Sequence, residues 1–496
     1  MDKLKPKSLT SLLAGVDYTT RGDIAEIMIT DVFNDSRKVT PGSLFVCLPG
    51  ANQDGHEFGS AALKSGAAAL VVERPLALDC PQVVVADARK ALARIAVNFF
   101  DNPGEDLTLI GVTGTNGKTT IVHMLQSITG QAALSAMIGT IGIKIGEGDY
   151  LPTGNTTPES LELQRQLRNM AAAGVKYVAV EVSSQGLAKH RLDDCQVDAA
   201  IFTNLTWDHM DYHKTVEHYF ACKAKLFQQI KPGGISVINV DDPYGQKLAA
   251  LAQGRLITYG LVGPALCTAS IVRRFVQGTK IRFILGRDTF TVTVPILFDY
   301  NVYNSLAAAA TAWGLGIPLA VIRRGLENLH QVPGRLEKLD FGQDYGIFID
   351  FAHTPDALEK LLKGLKDVTQ KRLIVVFGSV GNGDRGKRPQ MASIAERYGD
   401  LVIVTSTQPK YEDPEAIIDD IVQGFSGSKH LRLVQREQAV DKALSLARGG
   451  DIVILAGFGH QKYKLVQGKA LPYSDFQAVA AYFLKLAQQE TAGAEN

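Results

Sequence analysis

Short apolar runs recur along the chain and alternate with longer stretches of helical periodicity. The runs lie in the segments SLFVCL, AALVVE, LTLIGVTG, KYVAVEVSS, AAIFTNLT, ISVINVDD, GIFIDFAH, RLIVVFGS, DLVIVTST and DIVILAGFG. Runs rich in Val and Ile, bounded by turn residues and separated by helical stretches, are typical of parallel strands covered by helices. The pattern therefore predicts an α/β fold in which a mainly parallel sheet with helices occurs in each of three successive domains.

Two Pro-Gly pairs punctuate this alternation, one within residues 102–104 and the other at Pro333. Because such pairs mark turns and linkers, they predict domains at residues 1–103, 104–332 and 333–496. A chain of 496 residues is long enough for several separate hydrophobic cores.

Three stretches depart from the main pattern. Residues 260–294 alternate apolar and polar positions, which predicts hairpins, and the tail QQETAGAEN is predicted to be disordered. The uncharged run from Leu306 to Ile322 approaches membrane-spanning length. Its alanines, glycines and Pro318 favour a buried helix, a turn and the start of a second helix over a lipid-facing surface. We therefore expect no membrane insertion.

Charge and cysteine content narrow the function classes. The chain carries 52 Lys and Arg against 51 Asp and Glu, so its charge argues against nucleic acid or an anionic membrane as partner. The apolar stretch at the N-terminus is too short for an export signal. The five cysteines, which are odd in number and scattered, favour a reducing cytoplasm over a disulfide framework or a cysteine zinc site.

The segment GVTGTNGKTT, residues 111–120, lies where a predicted strand passes into a predicted helix. It departs from the usual G-x-x-x-x-G-K-[ST], because Val112 takes the place of the first glycine, but Gly114 can serve the tight turn. Amide N–H groups at a helix start bind phosphate, Lys118 would neutralise the β and γ phosphates, and Thr119 would offer a hydroxyl to Mg²⁺. A glycine-rich turn without ligand is the alternative; the G-K-T-T at a helix start favours phosphate.

Further candidate ligands for Mg²⁺ follow two predicted strands. Glu181 ends KYVAVE, and Asp208, His209 and His213 follow AAIFTNLTW, so all four are expected at the same edge of a parallel sheet. Helical histidine spacing within DHMDYHKTVEHY, which contains His209, His213 and His218, suggests zinc instead. The nearby phosphate loop favours Mg²⁺.

A nucleotide switch is a further alternative. The pattern D-x-x-G at residues 242–245 occurs in switch GTPases among many other proteins, but the chain contains no N-K-x-D for guanine recognition. The sequence therefore disfavours a switch.

Seven segments together resemble the Mur ligases, and within them the branch that adds the third amino acid to a peptidoglycan precursor. They are GVTGTNGKTT, GNTTPESL, EVSSQGL, FTNLTWDHMDYH, FDYNVYNSLAAA, VPGRLE and IDFAHTPDALEKLL. The resemblance covers essentially the whole chain, because NDSRKVTPGSLFVCLPGANQDGHEF is similar to the family's UDP-sugar domain.

The resemblance implies three domains: an N-terminal UDP-sugar-binding domain, a central phosphate-loop ATPase domain and a Rossmann-like C-terminal domain that binds the amino acid. It implies an ATP-dependent, ADP-forming ligase that joins an amino acid to UDP-N-acetylmuramoyl-L-alanyl-D-glutamate through an acyl phosphate, acting as a cytoplasmic monomer. The alternatives are a related amide ligase with another acyl acceptor or amino acid, and a nucleotide-gated binding protein.

Site residues are carried over position by position from the family. The resemblance assigns ATP binding to Gly114, Thr115, Asn116, Gly117, Lys118, Thr119, Thr120, Asn301, Arg335, Asp350 and His353. It assigns catalysis to Lys118, Glu181, His209 and Lys223, and Mg²⁺ binding to Thr119, Glu181, His209 and Lys223. Lys223 matches a lysine that the family carbamoylates, which would replace its positive charge by a carboxylate-like anion. The UDP-sugar substrate is assigned to Ser36, Thr156, Thr157, Ser183, Lys189 and Arg191.

The amino-acid pocket is where the chain departs from the family. It is assigned to Gly383, Thr407, Gln408, Pro409, Lys410, Gly457 and Gln461. Family members that add meso-diaminopimelate usually show D-N-P-R in place of TQPK, G-K-G-H-E in place of GFGHQ, and an arginine in place of Gly383. These changes remove two anions and the bidentate arginine fork. A diamino acid is expected, but diaminopimelate, lysine, ornithine and others stay open; Glu412 and Asp413 are expected to cap the next helix.

Overall fold

The computed structural model describes residues 5–50, 53–275, 278–428 and 430–494. They form two compact units. The first comprises Met1–Asn204, Phe220–Val294 and Val302–Leu329, and the second Leu205–Tyr219, Pro295–Asn301 and His330–Asn496. The domain boundaries after residues 103 and 332 stay predictions.

The first unit begins with a five-stranded sheet of order β2-β7-β6-β5-β4, in which only β2 is antiparallel to its neighbour. The first strands and helices are β1 (Lys7–Ser8), α1 (Leu9–Leu12), β2 (Thr19–Arg21), β3 (Met28–Ile29), β4 (Val32–Phe33), β5 (Leu44–Val46), α2 (Gly59–Lys64), β6 (Ala69–Val72), β7 (Gln82–Val84) and α3 (Ala88–Phe99). Asp87 caps α3, because its carboxylate accepts the amides of Arg89 and Lys90.

A ten-stranded sheet fills the rest of this unit, in the order β10-β9-β11-β8-β12-β13-β14-β15-β16-β17. Its strands are β8 (Thr108–Thr113), β9 (Ser135–Ile138), β10 (Ile143–Ile145), β11 (Tyr177–Glu181), β12 (Val197–Phe202), β13 (Ile230–Asn239), β14 (Arg255–Gly260), β15 (Cys267–Phe275), β16 (Gly278–Leu285) and β17 (Asp288–Val294). The strands from β9 to β14 in this order are parallel, whereas β15, β16 and β17 form antiparallel hairpins. The hairpins predicted for residues 260–294 are thus confirmed.

The helices between Lys118 and Glu327 follow these strands along the chain. They are α4 (Lys118–Thr129), α5 (Ser160–Ala172), α6 (Ser184–Ala188), α7 (Met210–His213), α8 (Val216–Ala224), α9 (Pro243–Ala249), α10 (Asp299–Gly314) and α11 (Leu319–Glu327). The uncharged run from Leu306 to Ile322 forms the end of α10, a turn and the start of α11, as predicted. Within the described ranges, the structure contains no helix with both the length and the apolar character needed to span a membrane.

The second unit is built on a six-stranded sheet of order β18-β19-β23-β20-β21-β22, antiparallel only at β18. Its elements from residue 337 onwards are β18 (Glu337–Leu339), β19 (Gly346–Asp350), α12 (Pro355–Val368), β20 (Leu373–Phe377), α13 (Lys387–Tyr398), β21 (Leu401–Val404), α14 (Pro414–Val422), β22 (His430–Arg432), α15 (Arg436–Leu446), β23 (Ile452–Ala456), β24 (Tyr463–Val466), β25 (Lys469–Pro472) and α16 (Asp475–Ala494). Every apolar run that the sequence singled out forms a strand, so the mainly parallel α/β fold class is confirmed.

A buried ion pair fixes the start of the last helix. Arg436 begins α15 and donates from Nε and Nη2 to the two carboxylate oxygens of Asp475, both at 2.7 Å, and both side chains are fully buried. From this anchor α16 continues to Ala494, so the predicted disorder of the tail is wrong for residues 488–494, and the prediction for residues 495 and 496 lies outside the described part of the chain. Alanine, glutamine and glutamate are good helix formers, and they extend a helix that is already nucleated.

Candidate active site

The turn between β8 and α4 requires glycine at two positions. Gly114 has φ +147°, and a Cβ there would lie 1.8 Å from Thr203 Oγ1. Gly117 has φ +92°, and its Cβ would lie 2.5 Å from Asn304 Oδ1. Val112 is still inside β8. β8 ends at Thr113, so the turn begins at Gly114, two residues after the position that the usual spelling gives to the first glycine, and Gly114 takes the role of that glycine.

The end of β12 holds this loop in place. The amide of Thr115 donates to Asn204 O at 2.9 Å, and the amide of Asn116 donates to Asn204 Oδ1 at 3.0 Å. Thr203 Oγ1 donates to Asn116 O at 2.6 Å. The amides of Thr115 and Asn116 are therefore both bonded to Asn204, which follows β12. Thr203 and Asn204 were not predicted as site residues; their position directly after a buried parallel strand was the available signal.

Two lysine side chains converge on the carbonyl of Gly114. Lys118 Nζ donates to Gly114 O and Thr115 O, both at 2.8 Å. Lys223 Nζ donates to Gly114 O at 2.8 Å, although this side chain is only 1% exposed. Two ammonium groups and a helix N-terminus thus surround one loop, an arrangement that attracts an anion.

Glu181 ends β11 and brings its carboxylate to the phosphate loop. Thr119 Oγ1 donates to Glu181 Oε2 at 3.0 Å, and both side chains are buried. The amide and hydroxyl of Thr140 donate to the same carboxylate at 2.9 and 3.0 Å. A Cβ on Gly139 would lie 2.2 Å from Glu181 Oε1, so a glycine is needed beside this carboxylate. Thr140 was missed by the sequence reasoning.

The same group continues to the residues expected to bind the sugar substrate. Thr140 Oγ1 lies 3.0 Å from Thr156 Oγ1, and Thr157 Oγ1 donates to the carbonyl of Glu181 at 2.9 Å. Ser183 Oγ lies 3.1 Å from Thr157 Oγ1 and caps α6. The structure therefore brings Thr156, Thr157 and Ser183 together with Glu181 and Thr119.

Arg191 and Lys189 lie beside this group. Arg191 Nη1 donates to Thr157 O at 2.9 Å, and its Nη2 donates to Glu159 Oε1 at 2.6 Å. The pKa of Lys189 is lowered by burial first and then by the positive charges of Arg191 and Arg89. Lys189 is half-buried and lies near the positive charges of Arg191 and Arg89.

Ser36 lies apart from these residues. It begins a short 3₁₀ turn, Ser36–Lys38, which Asp35 caps. The side-chain bond from Arg37 lowers the pKa of the Asp35 carboxyl. In the part of the chain that the structure describes, no hydrogen bond joins Ser36 to Thr157 or Ser183, so the role of Ser36 in substrate binding stays a prediction.

In the second unit, Asp350 and Arg335 lie close together. Asp350 ends β19, and its two oxygens accept the amides of Leu336 and Ala352, both at 2.7 Å. Burial raises the pKa of Asp350, while the charge of Arg335 opposes that shift. The Arg335 guanidinium lies over the Phe351 ring, 4.8 Å from its centroid. Each oxygen of Asp350 keeps a second lone pair that a ribose hydroxyl can use.

His353 and Asn301 are held by backbone carbonyls of the same unit. His353 Nδ1 lies 2.9 Å from Phe351 O, and Asn301 Nδ2 donates to Leu297 O at 3.0 Å. Burial, followed by the charge of Lys387, lowers the pKa of His353 to about 4. His353 is therefore a neutral imidazole at neutral pH.

His209 and its histidine neighbours also belong to the second unit. His209 has φ +56° and precedes α7, and its Nε2 lies 3.4 Å from Asp208 Oδ2. His213 is 2% exposed and packs against Tyr212 and Tyr219, with ring centroids 4.9 Å away in each case. Both the predicted Mg²⁺ ligation by His209 and the zinc alternative stay predictions.

Three of the residues predicted for the amino-acid pocket, Gln408, Lys410 and Gln461, lie beside β24. Gln408 Nε2 donates to Gln461 Oε1 and to Tyr463 O, both at 2.8 Å, and Gln408 Oε1 accepts the amide of Leu465. Thr407 Oγ1 donates to Ser379 O at 2.8 Å. Gln408 and Gln461 thus form a neutral amide pair, in which Gln408 bonds to Gln461 Oε1 and to the backbone of Tyr463 and Leu465.

Backbone conformation distinguishes the remaining pocket residues. Lys410 has φ +55°, and its amide donates to Leu465 O at 2.8 Å. Gly457 has φ +92°, and a Cβ there would lie 3.8 Å from Thr407 Cγ2. A Cβ on Gly381 would lie 1.9 Å from Pro409 O, and one on Gly383 would lie 3.3 Å from Val380 Cγ2.

Glu412 and Asp413 were both expected to cap the next helix, and this prediction is correct for Asp413 alone. Asp413 caps α14 by accepting the amide of Glu415 at 3.0 Å. Glu412 does not cap the helix; it accepts from Arg388 Nη1 and Nη2 at 3.0 and 3.1 Å and from Arg385 at 3.0 Å. The Arg388 side chain is fully buried, and a buried cation without an anionic partner is strongly destabilising, whereas α14 already has a cap in Asp413. The Arg388 bond lowers the pKa of Glu412 to about 2.

The D-x-x-G pattern has a structural role. The Asp242 carboxylate accepts the amides of Tyr244 and Gly245, at 2.9 and 3.2 Å, and so caps α9. A Cβ on Gly245 would lie 1.8 Å from Asn239 O, which accounts for the glycine.

Comparison with known proteins places this geometry in a family. Sequence models match as the Mur ligase family catalytic domain at residues 28–100, the Mur ligase middle domain at 112–312, and the Mur ligase glutamate ligase domain at 334–459. Two curated relatives are named UDP-N-acetylmuramoyl-L-alanyl-D-glutamate--2,6-diaminopimelate ligase. The protein from Geobacillus kaustophilus (strain HTA426) is 41% identical over 460 residues, which are 91% of this chain and 94% of the relative. The protein from Geobacillus thermodenitrificans (strain NG80-2) is 40% identical over 491 residues, covering 97% and 99%.

A solved structure of a protein with the same name superposes with a TM-score of 0.68 at 31% identity, covering 97% of this chain and 100% of that chain. Because nearly all of both chains superpose, the likeness extends beyond single motifs to almost the whole chain. The resemblance carried by the sequence motifs is confirmed: the chain belongs to the Mur ligase family of ATP-dependent, ADP-forming ligases.

Proposed function

We propose that this ligase adds the third amino acid to UDP-N-acetylmuramoyl-L-alanyl-D-glutamate in the cytoplasm, as a step of peptidoglycan precursor synthesis. One observation carries the proposal. The Glu181 carboxylate accepts from Thr119 of the phosphate loop, and the Glu181 carbonyl accepts from Thr157 of the expected sugar-nucleotide site. A single residue therefore joins the place for ATP to the place for the dipeptide whose carboxylate ATP activates, as acyl-phosphate chemistry requires.

The reaction follows from this arrangement. A carboxylate oxygen of the dipeptide attacks the γ-phosphorus of ATP, and the bond to the β-γ bridging oxygen breaks to release ADP. The amine of the incoming amino acid then attacks the acyl carbon, a tetrahedral intermediate forms, and inorganic phosphate leaves as the amine loses its proton. The chain's contribution is mainly positioning and charge: Lys118 and the start of α4 bind the phosphates, while Arg191 and Ser183 hold the UDP-linked dipeptide.

Magnesium fits the oxygen donors at the loop. The hydroxyl of Thr119 and the carboxylate of Glu181 are hard ligands 3.0 Å apart, which is the donor chemistry that Mg²⁺ prefers. Thr119 and Glu181 would hold the ion, and the role of His209 as a further ligand stays a prediction from the family. When bound, it would offset the negative charge on the transferring phosphoryl group.

Carbamoylation of Lys223 is part of the proposal. A carbamate keeps one N–H on Nζ, so it can retain the bond to Gly114 O, while its new anionic oxygens suit a cation site. Incubation with ¹³C-labelled bicarbonate followed by ¹³C NMR should show one carbamate resonance that is lost in Lys223→Ala. Its absence from the intact protein under these conditions would contradict the modification.

The acceptor amino acid is proposed to be a diamino acid, with 2,6-diaminopimelate first because the relatives carry that name. Lys410 offers a cation for a carboxylate. The Gln408–Gln461 pair offers neutral amide groups in place of carboxylates for a distal ammonium. We therefore expect weaker discrimination between diamino acids than a pocket with two carboxylates would give.

Substrate-dependent ADP release tests the function. The purified protein is supplied with ATP, Mg²⁺, the UDP-linked dipeptide and one member of an amino-acid panel: diaminopimelate, lysine, ornithine or alanine. Turnover must require every component, must yield a tripeptide by mass spectrometry, and must fall to background in Lys118→Ala. ADP release that is independent of amino acid and dipeptide would instead support the nucleotide-gated alternative.

A further inference from the structure

A cluster around Glu159 gathers more positive than negative charge. Arg191 Nη2 donates to Glu159 Oε1 at 2.6 Å, and Arg89 Nη1 donates to Glu159 Oε2 at 3.3 Å. Lys189 lies close enough that Arg191, Arg89 and Glu159 all shift its pKa, the two arginines downward and the carboxylate upward. One carboxylate thus faces three cations, and the cluster carries a net positive charge.

The cations come from separate parts of the first unit. Arg89 lies in the first turn of α3, which follows the five-stranded sheet, and its Nη2 also donates to Pro49 O at 3.0 Å. Glu159 directly precedes α5, and Arg191 follows α6. The fold therefore brings Arg89 to the residues that surround Thr157, although they are far apart in sequence.

Burial makes the excess positive charge costly unless an anion offsets it. Arg191 is 7% exposed, and its Nε is buried with no hydrogen-bond partner among the residues that the structure describes. A buried guanidinium donor that lacks an acceptor costs free energy, and an oxyanion supplies that acceptor. The side chains of Arg89 and Glu159 remain 23% and 27% exposed, so an anion has a route to the cluster from solvent.

We propose that Arg89 is a further binding residue for an anionic group of the sugar-nucleotide substrate, acting beside Lys189 and Arg191, with Glu159 holding the two guanidinium groups in place. The inference rests on the proposed function. The ligand chemistry is an oxyanion, and two parts of the substrate supply one: a carboxylate of the dipeptide and the diphosphate of the nucleotide.

The matched control is Arg94, which lies on the same helix. Its Nη2 donates to Asp194 Oδ1 at 2.5 Å, so it also links α3 to a carboxylate outside that helix, but it is not among the charges that shift the pKa of Lys189. Arg89→Met and Arg94→Met remove the same chemical group from neighbouring turns. Arg89→Lys retains the charge and loses the fork.

Calorimetric titration with the UDP-linked dipeptide, without ATP, distinguishes a failure of the Arg89 inference from a failure of the proposed function. Arg89→Met should raise Kd about 10- to 100-fold with a smaller dependence of log Kd on salt, Arg89→Lys should lie between, and Arg94→Met should match the intact protein. Turnover should show the loss in KM and leave kcat within about threefold. Thermal melts confirm that each variant is folded.

UDP-N-acetylglucosamine identifies which anion Arg89 contacts. If Arg89→Met weakens the dipeptide ligand alone, the contact is the peptide carboxylate; if it weakens both ligands equally, the contact is the diphosphate. An Arg89→Met protein that binds both ligands like Arg94→Met overturns the inference. Failure of the intact protein to bind the dipeptide ligand would instead overturn the proposed function.

Discussion

Replacement of Thr140 by valine tests how the active-site carboxylate is oriented. The Thr140 hydroxyl donates to Glu181 Oε2 at 3.0 Å and lies 3.0 Å from Thr156 Oγ1, while its amide donates to Glu181 Oε1. Valine keeps the shape and the amide bond and removes the hydroxyl alone. The carboxylate then loses one of the bonds that hold it toward Thr119.

The magnitude follows from the type of bond. A hydrogen bond to a charged group contributes about 1.5–3 kcal/mol, and about 1.4 kcal/mol corresponds to a factor of ten. Thr140→Val should therefore lower kcat/KM for ATP about 10- to 100-fold in the ADP-release assay. Thr140→Ser restores the donor and should recover most of this loss.

Thr153 supplies the control. Its hydroxyl donates to Gly139 O at 3.1 Å, so it bonds to the neighbouring backbone and not to Glu181. Thr153→Val should keep kcat/KM within about fivefold, because a neutral hydrogen bond contributes about 1 kcal/mol or less. The reasoning about Glu181 is refuted if Thr140→Val is as active as Thr153→Val, or if Thr140→Ser is as impaired as Thr140→Val.

Three other predictions concern the loop and the second unit. Gly117→Ala should raise the Kd for ATP about tenfold or more, because position 117 has φ +92° and the added Cβ would clash with Asn304 Oδ1. Gly174→Ala is the control: position 174 has φ +79° and open space around it, so this variant should bind ATP normally in the same titration. Arg436→Met should lower the free energy of unfolding by about 3–5 kcal/mol, measured by hydrogen exchange of β23, because it leaves the buried Asp475 carboxylate without a cation. Arg323→Met, which removes the exposed pair with Glu327, should lower the free energy of unfolding by less than about 1 kcal/mol. Glu412 has its pKa lowered from 4.5 to about 2, so its contribution to stability is complete above about pH 4.5 and is lost as the pH falls toward 2. The urea midpoint of the intact protein should fall more steeply over this range than that of Glu412→Gln, and parallel curves would contradict the assignment.

The parts of the site that the sequence predicted are those that a parallel sheet brings together by rule. Thr119 and Glu181 follow the ends of neighbouring strands β8 and β11, and the carboxyl ends of parallel strands share one edge. Their hydrogen bond could therefore be anticipated from the order of the elements. The position of Gly114 at the turn between a predicted strand and a predicted helix likewise suggested that it could replace the missing first glycine.

The parts that were missed depend on tertiary contacts with no local pattern. Thr140 lies between β9 and β10 and resembles any turn threonine until β9 pairs with β11. Arg89 resembles a solvated helix arginine until α3 packs near Glu159. Glu412 and Asp413 are adjacent acids, and only the burial of Arg388 decides which of them caps the helix.

Transfer of oxygen from the dipeptide carboxylate to phosphate tests the central claim most directly. The dipeptide substrate is labelled with ¹⁸O in the reacting carboxylate, turnover is run with ATP, Mg²⁺ and the amino acid that supports it, and the inorganic phosphate is analysed by mass spectrometry. The account predicts one ¹⁸O atom in each phosphate formed, because the acyl phosphate passes its bridging oxygen to the leaving group. Phosphate without label, formed at the same rate as tripeptide, would contradict activation of the carboxylate by ATP.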